Sequence, residues 1–305
     1  SLNDESREFR IVSHAKRSEL ELDPIVKKTP VSLSKPSIED QRPDLQRIED
    51  TGFSTDFCEP GVLQGLSDVL RAQDFNVTLV DVAGKLALAE PGDTSSVSYG
   101  VAFDIGTTTV VGYLMDLNTG EKIAVDSIAN PQKIYGADVI SRINYTSESP
   151  GQLQKMNSTI IDGINEIIGN LAKDANIKRD NIYTAVFAGN TTMMHFLLKL
   201  PAYNIALAPF IPVTTKMHIF PATASGVKIN KYGRVVFLPC VSSYIGADTV
   251  AAVLASRMHL DDQLTLLVDI GTNGEIVLGN KEGMYSCSTA AGPAFEGGSI
   301  RYGVR

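Results

Sequence analysis

Apolar residues recur along this chain with two periods, and the changes of period mark its elements. Between residues 152 and 175, Leu153, Met156, Ile160, Ile164, Ile167, Ile168 and Leu171 fall three or four apart, which predicts a long amphipathic helix. Residues 60–71 carry apolar side chains at 62, 63, 66, 69 and 70 and predict another. Residues 135–143 and 244–255 read as shorter helices. Compact apolar runs predict strands over 76–81, 85–89, 101–103, 110–116, 123–129, 183–188, 235–239, 266–268, 275–279 and 283–289. Turn residues separate them, as in Pro91-Gly92-Asp93 and Asn118-Thr119-Gly120. After the strand at 183–188, Gly189 precedes a helix that Asn190 or Thr191 would cap.

This order divides the chain into four parts. Residues 1–49 are polar and mixed in charge and read as a linker or arm, with short extended pieces at 9–12 and before Pro30. Residues 50–94 make a small α+β domain. Residues 95–200 form the first half of a larger unit, and 201–305 a crossover and the start of its second half. The proline-broken apolar segment 204–221 is a candidate dimer interface.

Two strand–turn–strand units share a chemical motif. Asp104-Ile105-Gly106-Thr107 and Asp269-Ile270-Gly271-Thr272 lie in matching apolar contexts, so the chain contains an internal repeat. In each, a glycine lets the backbone approach a ligand, and hydroxyl and amide groups (Thr107, Thr108, Thr272, Asn273) suit phosphate oxygens. Asp104 and Asp269 suit a metal ion or its bound water. Two such hairpins facing each other would clamp a polyphosphate. Asp248 follows Gly246-Ala247 at a helix start and is a third catalytic candidate, with helix capping as the alternative. Asn190 and Thr191 are candidates for the cleft between halves, and Gly292, Gly297 and Gly298 for contacts to nucleotide. Glu275 is an acid beside the second turn whose role stays open. His195 reads as a buried, hydrogen-bonded histidine, Cys240 and Cys287 as core residues, and Asp138 with Arg142 as an ion pair on one helix face.

Bulk properties exclude some functions. The net charge of -8 and the absence of a basic block argue against a nucleic-acid partner. No apolar run is long enough to span a bilayer, and residues 1–5 do not resemble a signal peptide. Three scattered cysteines suit a reducing compartment, so a cytoplasmic protein is expected.

The paired hairpins resemble the α/β, actin-like (ribonuclease H-like) duplicated ATPase fold, here with its second half incomplete and a linker and small domain before it. Four stretches, 135–142, 188–195, 268–275 and 288–297, resemble more specifically the ATP-dependent reductive activators of corrinoid proteins. That resemblance implies ATP and Mg2+ as ligands and reduction of cob(II)alamin to cob(I)alamin in a methyltransferase or O-demethylase system. It also implies a corrinoid protein and a low-potential electron donor as partners. Many members hold a 2Fe-2S cluster on four cysteines in an N-terminal domain. This chain lacks such a cluster motif and reads as a fragment of a longer protein. Competing readings of the same fold are a small-molecule kinase and a chaperone-like or filament-forming module.

Overall fold

The computed structural model describes residues 22–55, 58, 60–271 and 273–289. Its N-terminal part is a three-stranded antiparallel sheet. β1 (Val26–Ser32) pairs with β2 (Asn76–Val82), which pairs with β3 (Lys85–Pro91). Two helices, α1 (Asp44–Glu49) and α2 (Pro60–Ala72), pack on it through Ile48, Leu66 and Leu70. The small domain therefore starts at Val26 and not at residue 50. The arm expected over 1–49 contributes an edge strand, because Val26 and Val31 need the apolar surface that β2 and α2 offer.

The larger unit is a six-stranded sheet in the order β6-β5-β4-β7-β9-β8. It is built from β4 (Tyr99–Ile105), β5 (Thr109–Asp116), β6 (Lys122–Ala129), β7 (Ile182–Gly189), β8 (His218–Pro221) and β9 (Arg234–Phe237). β4, β7 and β9 run parallel, whereas β5, β6 and β8 are antiparallel to their neighbours. Phe103, Phe187 and Phe237 stack across the three parallel strands with centroids 5.2 and 5.3 Å apart. α3 (Val139–Glu148) and the long α4 (Gln152–Asp174) follow β6. The apolar stripe of α4 is buried against β5 and β6. Its approach is so close that a Cβ on Gly112 would lie 2.6 Å from Ile167.

α5 (Thr191–Leu197) follows β7, and two single turns, α6 (Tyr203–Ala206) and α7 (Ala222–Ser225), flank β8 on the way to β9. Then α8 (Ala247–Ser256) leads to a second antiparallel sheet of β10 (Thr265–Ile270), β11 (Gly274–Asn280) and β12 (Gly283–Thr289). The two hairpins are thus real structural repeats, although the second turn is one residue shorter: Ile105 pairs with Val110, but Ile270 with Gly274. Their surroundings differ. Val101, Phe103 and Ile105 are at most 3 % exposed, whereas the equivalent Leu266, Val268 and Ile270 are 60 %, 49 % and 64 % exposed among the described residues. Among these residues no helix is long and apolar enough to cross a membrane.

Candidate nucleotide site

The parallel pairing of β4 and β7 sets Ile105 directly beside Gly189, so both strands end at the same level. The hairpin turn at 106–108 and the strand–helix turn at 189–190 therefore emerge side by side. Crevices outside the carboxyl ends of strands are where open α/β sheets place ligands. Gly189 is required at this junction, since a Cβ there would lie 2.7 Å from the Ile105 carbonyl oxygen.

The first turn is held from behind by two buried side chains and one backbone N–H. Asn130 Nδ2 donates to the Gly106 carbonyl at 2.7 Å, Arg142 Nη2 to the Thr107 carbonyl at 2.7 Å, and the Asn130 backbone N–H to the Thr108 carbonyl at 2.7 Å. In a trans peptide the N–H points opposite to the carbonyl. With the Gly106 and Thr107 carbonyls drawn into the protein, the N–H groups of Thr107 and Thr108 face outward and offer an anion two donors. Asn190 closes the arrangement: its Nδ2 donates to Thr107 Oγ1 at 3.1 Å, and its Oδ1 caps α5 by accepting from Met193 N at 3.0 Å. Thr108 is exposed.

Four carboxylates converge near this turn. Asp104 ends β4, Asp269 ends β10, Asp248 lies in the first turn of α8, and Glu275 stands directly opposite Asp269 across β10 and β11. Water reaches Asp104, yet protein crowds it on its other sides. That crowding, then the charges of Asp248 and Asp269, pushes its carboxyl up to about 6. Burial, then Asp248 and Asp269, pushes Glu275 up to about 7. Asp248 is raised by burial and by Asp269, against the Thr249 N–H that it accepts at 2.7 Å. Such mutual repulsion marks a place where a cation would relieve unfavourable charge. Among the described residues no three His, Cys, Asp or Glu side chains can cage a metal by themselves. Magnesium does not require that, because it keeps several waters and takes one or two carboxylates together with substrate phosphates. Asp104 and Asp269 fit that donor set.

Gly246 brings Asp248 to the cluster. A Cβ there would lie 2.5 Å from the Asn190 Cα and 2.7 Å from the Gly189 oxygen, so only glycine lets this loop lie against the β7–α5 turn. Beside the carboxylates a cavity of about 540 Å³ opens between α3, the start of α5, the loop at 242–245 and the second sheet. Ile140, Ile143 and Ile245 form an apolar wall, and Asn190, Asn273, Glu275 and Ser288 supply polar groups.

Several expectations change. Thr191, expected at the cleft, is 1 % exposed, and its hydroxyl donates to the Ser242 carbonyl at 2.6 Å; Thr192 lines the cavity instead. A helix start turns successive side chains to different sides, which sequence alone does not resolve. Arg142 does not pair with Asp138. Asp138 caps α3 by accepting from Ser141 N, and Arg142 turns inward to Thr107. Cys287 is exposed, because the second sheet leaves that face open. Asn273 is exposed at the cavity, and Gly271 donates its N–H to the Asn273 carbonyl at 2.8 Å. Thr272, Gly292, Gly297 and Gly298 lie outside the described residues. His195 is buried as expected: the Val213 N–H donates to Nε2, which leaves Nδ1 to donate to the Thr191 carbonyl. The sequence signal for Arg142 was its place in the 135–142 stretch, and for Glu275 its position one strand across from Asp269.

Comparison with known proteins sets this geometry in context. Residues 15–96 match the RACo linker region, 99–261 the RACo middle region, and 263–305 the C-terminal domain of RACo, the ASKHA domain. The first hairpin thus falls in the middle region and the second in the ASKHA domain. The small domain and the arm before it fall together in the linker region. The corrinoid activation enzyme RamQ of Eubacterium limosum is 38 % identical over 246 residues, which cover 80 % of this chain and 41 % of that protein. A reductase of the Co(II) methylated amine-specific corrinoid protein from Methanosarcina barkeri is 26 % identical over 216 residues, covering 68 % of this chain and 38 % of that one. A solved structure of a reductive activator for a corrinoid, iron–sulfur protein superposes with a TM-score of 0.86 at 38 % identity over 95 % of this chain and 47 % of the other. The chain spans less than half the length of these relatives.

Proposed function

The chain belongs to the RACo family, and from that premise we propose that it is the nucleotide-binding part of an ATP-dependent reductive activator, which returns a corrinoid protein from cob(II)alamin to cob(I)alamin. The observation that carries this reading is the convergence of Asp104, Asp248 and Asp269 on the donor-lined turn at 106–108. Similarity to a corrinoid activation enzyme and to a reductive activator supplies the choice of partner.

The roles follow from the geometry. The outward N–H groups of Thr107 and Thr108 and the Thr108 hydroxyl bind phosphate oxygens. Asp104 and Asp269 would hold magnesium. When bound, the ion neutralises phosphate charge and polarises the terminal phosphoryl group. Asp248, fixed by the α8 start and with its carboxyl raised above the ordinary value, orients the attacking water and accepts its proton. Phosphoryl transfer to water gives ADP and phosphate. Because the site draws on both sheets, nucleotide contacts favour their approach, and ATP hydrolysis releases it. That cycle is the means by which the corrinoid partner is gripped while one electron arrives from a low-potential donor. The chain's own thiols do not fit a four-thiolate cluster: there are three, Cys58 just before α2, Cys240 in the loop after β9 and Cys287 in β12. We place the protein in the cytoplasm.

The test uses the full-length protein with its electron donor and a corrinoid protein, following the cobalt absorption bands anaerobically. Cob(I)alamin should form only with magnesium and ATP, and Asp104→Asn should abolish its formation. Equal reduction with and without nucleotide would sink the reading.

A further inference from the structure

Arg142 is set in the fold in a way unusual for a cation. Its side chain is completely buried, and the neighbouring Asp138 carboxylate, engaged as the α3 cap, acts on it only through space and partly offsets the effect of burial. Burial pushes its guanidinium down to about 10, so it stays charged at neutral pH. Its contacts are the Thr107 carbonyl from Nη2 at 2.7 Å, the Gly136 carbonyl from Nε at 2.9 Å and the Met193 sulfur from Nη1 at 3.5 Å. A buried unpaired charge is costly, and a neutral donor would hold a carbonyl at a smaller penalty. Structural need alone therefore does not explain an arginine here.

What a neutral donor lacks is the positive charge, and the place of that charge is specific. The peptide between Thr107 and Thr108 lies between the guanidinium and the cleft. Its carbonyl accepts from Arg142, so in a trans peptide its N–H points away from the guanidinium; the turn follows directly on Asp104, whose carboxyl feels the charges of Asp248 and Asp269. A cation on the carbonyl polarises the whole peptide unit and makes its N–H a stronger donor, since hydrogen bonds in series reinforce one another. The same charge offsets part of the negative field that three carboxylates would present to an incoming polyphosphate.

We propose that Arg142 is a positioning residue for polyphosphate. It is a fixed cation behind the first turn that aims the Thr108 N–H at a phosphate oxygen and lowers the electrostatic cost of bringing that anion beside the acidic cluster. This inference rests on the nucleotide reading above.

The experiment measures, by calorimetry on the full-length protein, the affinities for ATP, ADP and adenosine in wild type, Arg142→Gln and Arg142→Lys, with thermal unfolding as a check on folding. The expected loss scales with phosphate number. Arg142→Gln weakens ATP by about 10- to 100-fold, as removal of a charge-assisted contact does. It weakens ADP less and leaves adenosine unchanged. Arg142→Lys keeps the charge but not the planar fork and falls between. Equal losses for ATP and adenosine would mean that Arg142 only holds the fold, and would overturn the proposal. Unchanged ATP affinity in Arg142→Gln would overturn it too. If Arg142→Gln does not fold, Arg142→Lys decides alone: ATP must weaken relative to adenosine. A wild type that binds none of the three would instead overturn the nucleotide reading, and the proposal with it.

Discussion

Asn190 donates to Thr107 Oγ1 at 3.1 Å while the other end of its amide accepts from Met193 N at 3.0 Å. One side chain thus ties the first hairpin turn to the N-terminus of α5. Asn190→Asp separates the two duties. Aspartate caps a helix as well as asparagine, but it cannot donate to Thr107 and it adds a negative charge beside Asp104. Thermal stability should change little, while ATP affinity in the full-length protein falls about tenfold or more, the scale of a charged contact. Equal ATP affinity by calorimetry would show that the Thr107 hydroxyl needs no such orientation.

Gly246 tests how finely Asp248 must be placed. Its backbone is not in a strained region (φ -87), so Gly246→Ala acts by contact alone. The added methyl meets the Asn190 Cα, the Gly189 oxygen and Asp248 Oδ1, all within 2.7 Å. The loop must move away and carry Asp248 with it. A displacement of about 1 Å at a reacting group costs about a hundredfold in rate. Steady-state ATPase should show that loss in kcat, with a much smaller change in KM.

The raised carboxyl of Asp104 has a consequence for stability. A group that binds its proton more tightly in the folded chain destabilises that chain when ionised. The penalty is absent below the unfolded value of 3.8, grows with pH and is complete above about 6. Asp104→Asn should therefore raise the melting temperature at pH 7.5 and lose that advantage as the pH falls toward 4. Water reaches Asp104, so the gain stays below about 1 kcal/mol. The same variant should lose ATP hydrolysis. Thermal unfolding at several pH values, without nucleotide, measures the first effect; a melting temperature lowered at pH 7.5 would contradict it.

Lys28 joins the small domain to the larger sheet. Its ammonium, 1 % exposed, contacts Glu90 at 2.6 Å, the Val97 carbonyl at 2.9 Å and the Tyr183 hydroxyl at 3.0 Å. Tyr183 in β7 also donates to Glu90 at 2.5 Å. Lys28→Met leaves Glu90 without its cation, and breaking a buried pair in this way costs about 3–5 kcal/mol. Urea unfolding should show the loss. A single unaltered transition would mean that the network contributes nothing to the junction.

What the sequence determined by itself is local. The three- and four-residue spacing of α4, the repeated Asp-x-Gly-Thr turns and the Asn190 cap are set by neighbours within a few positions, and those interactions exist in any context. The two hairpins, the helix between 152 and 174 and the α/β order were legible for that reason. What only the tertiary structure decided depends on residues far apart in the chain. Val26–Ser32 becomes part of the small domain because β2, some fifty residues later, supplies its partner. Arg142 turns from the neighbouring Asp138 to the Thr107 carbonyl, 35 residues back in the chain. Thr191 turns to Ser242, leaving Thr192 at the cavity. The convergence of Asp104 and Asp248 on Asp269 is likewise a product of packing, and electrostatic coupling depends on distance in space, which spacing in sequence does not fix.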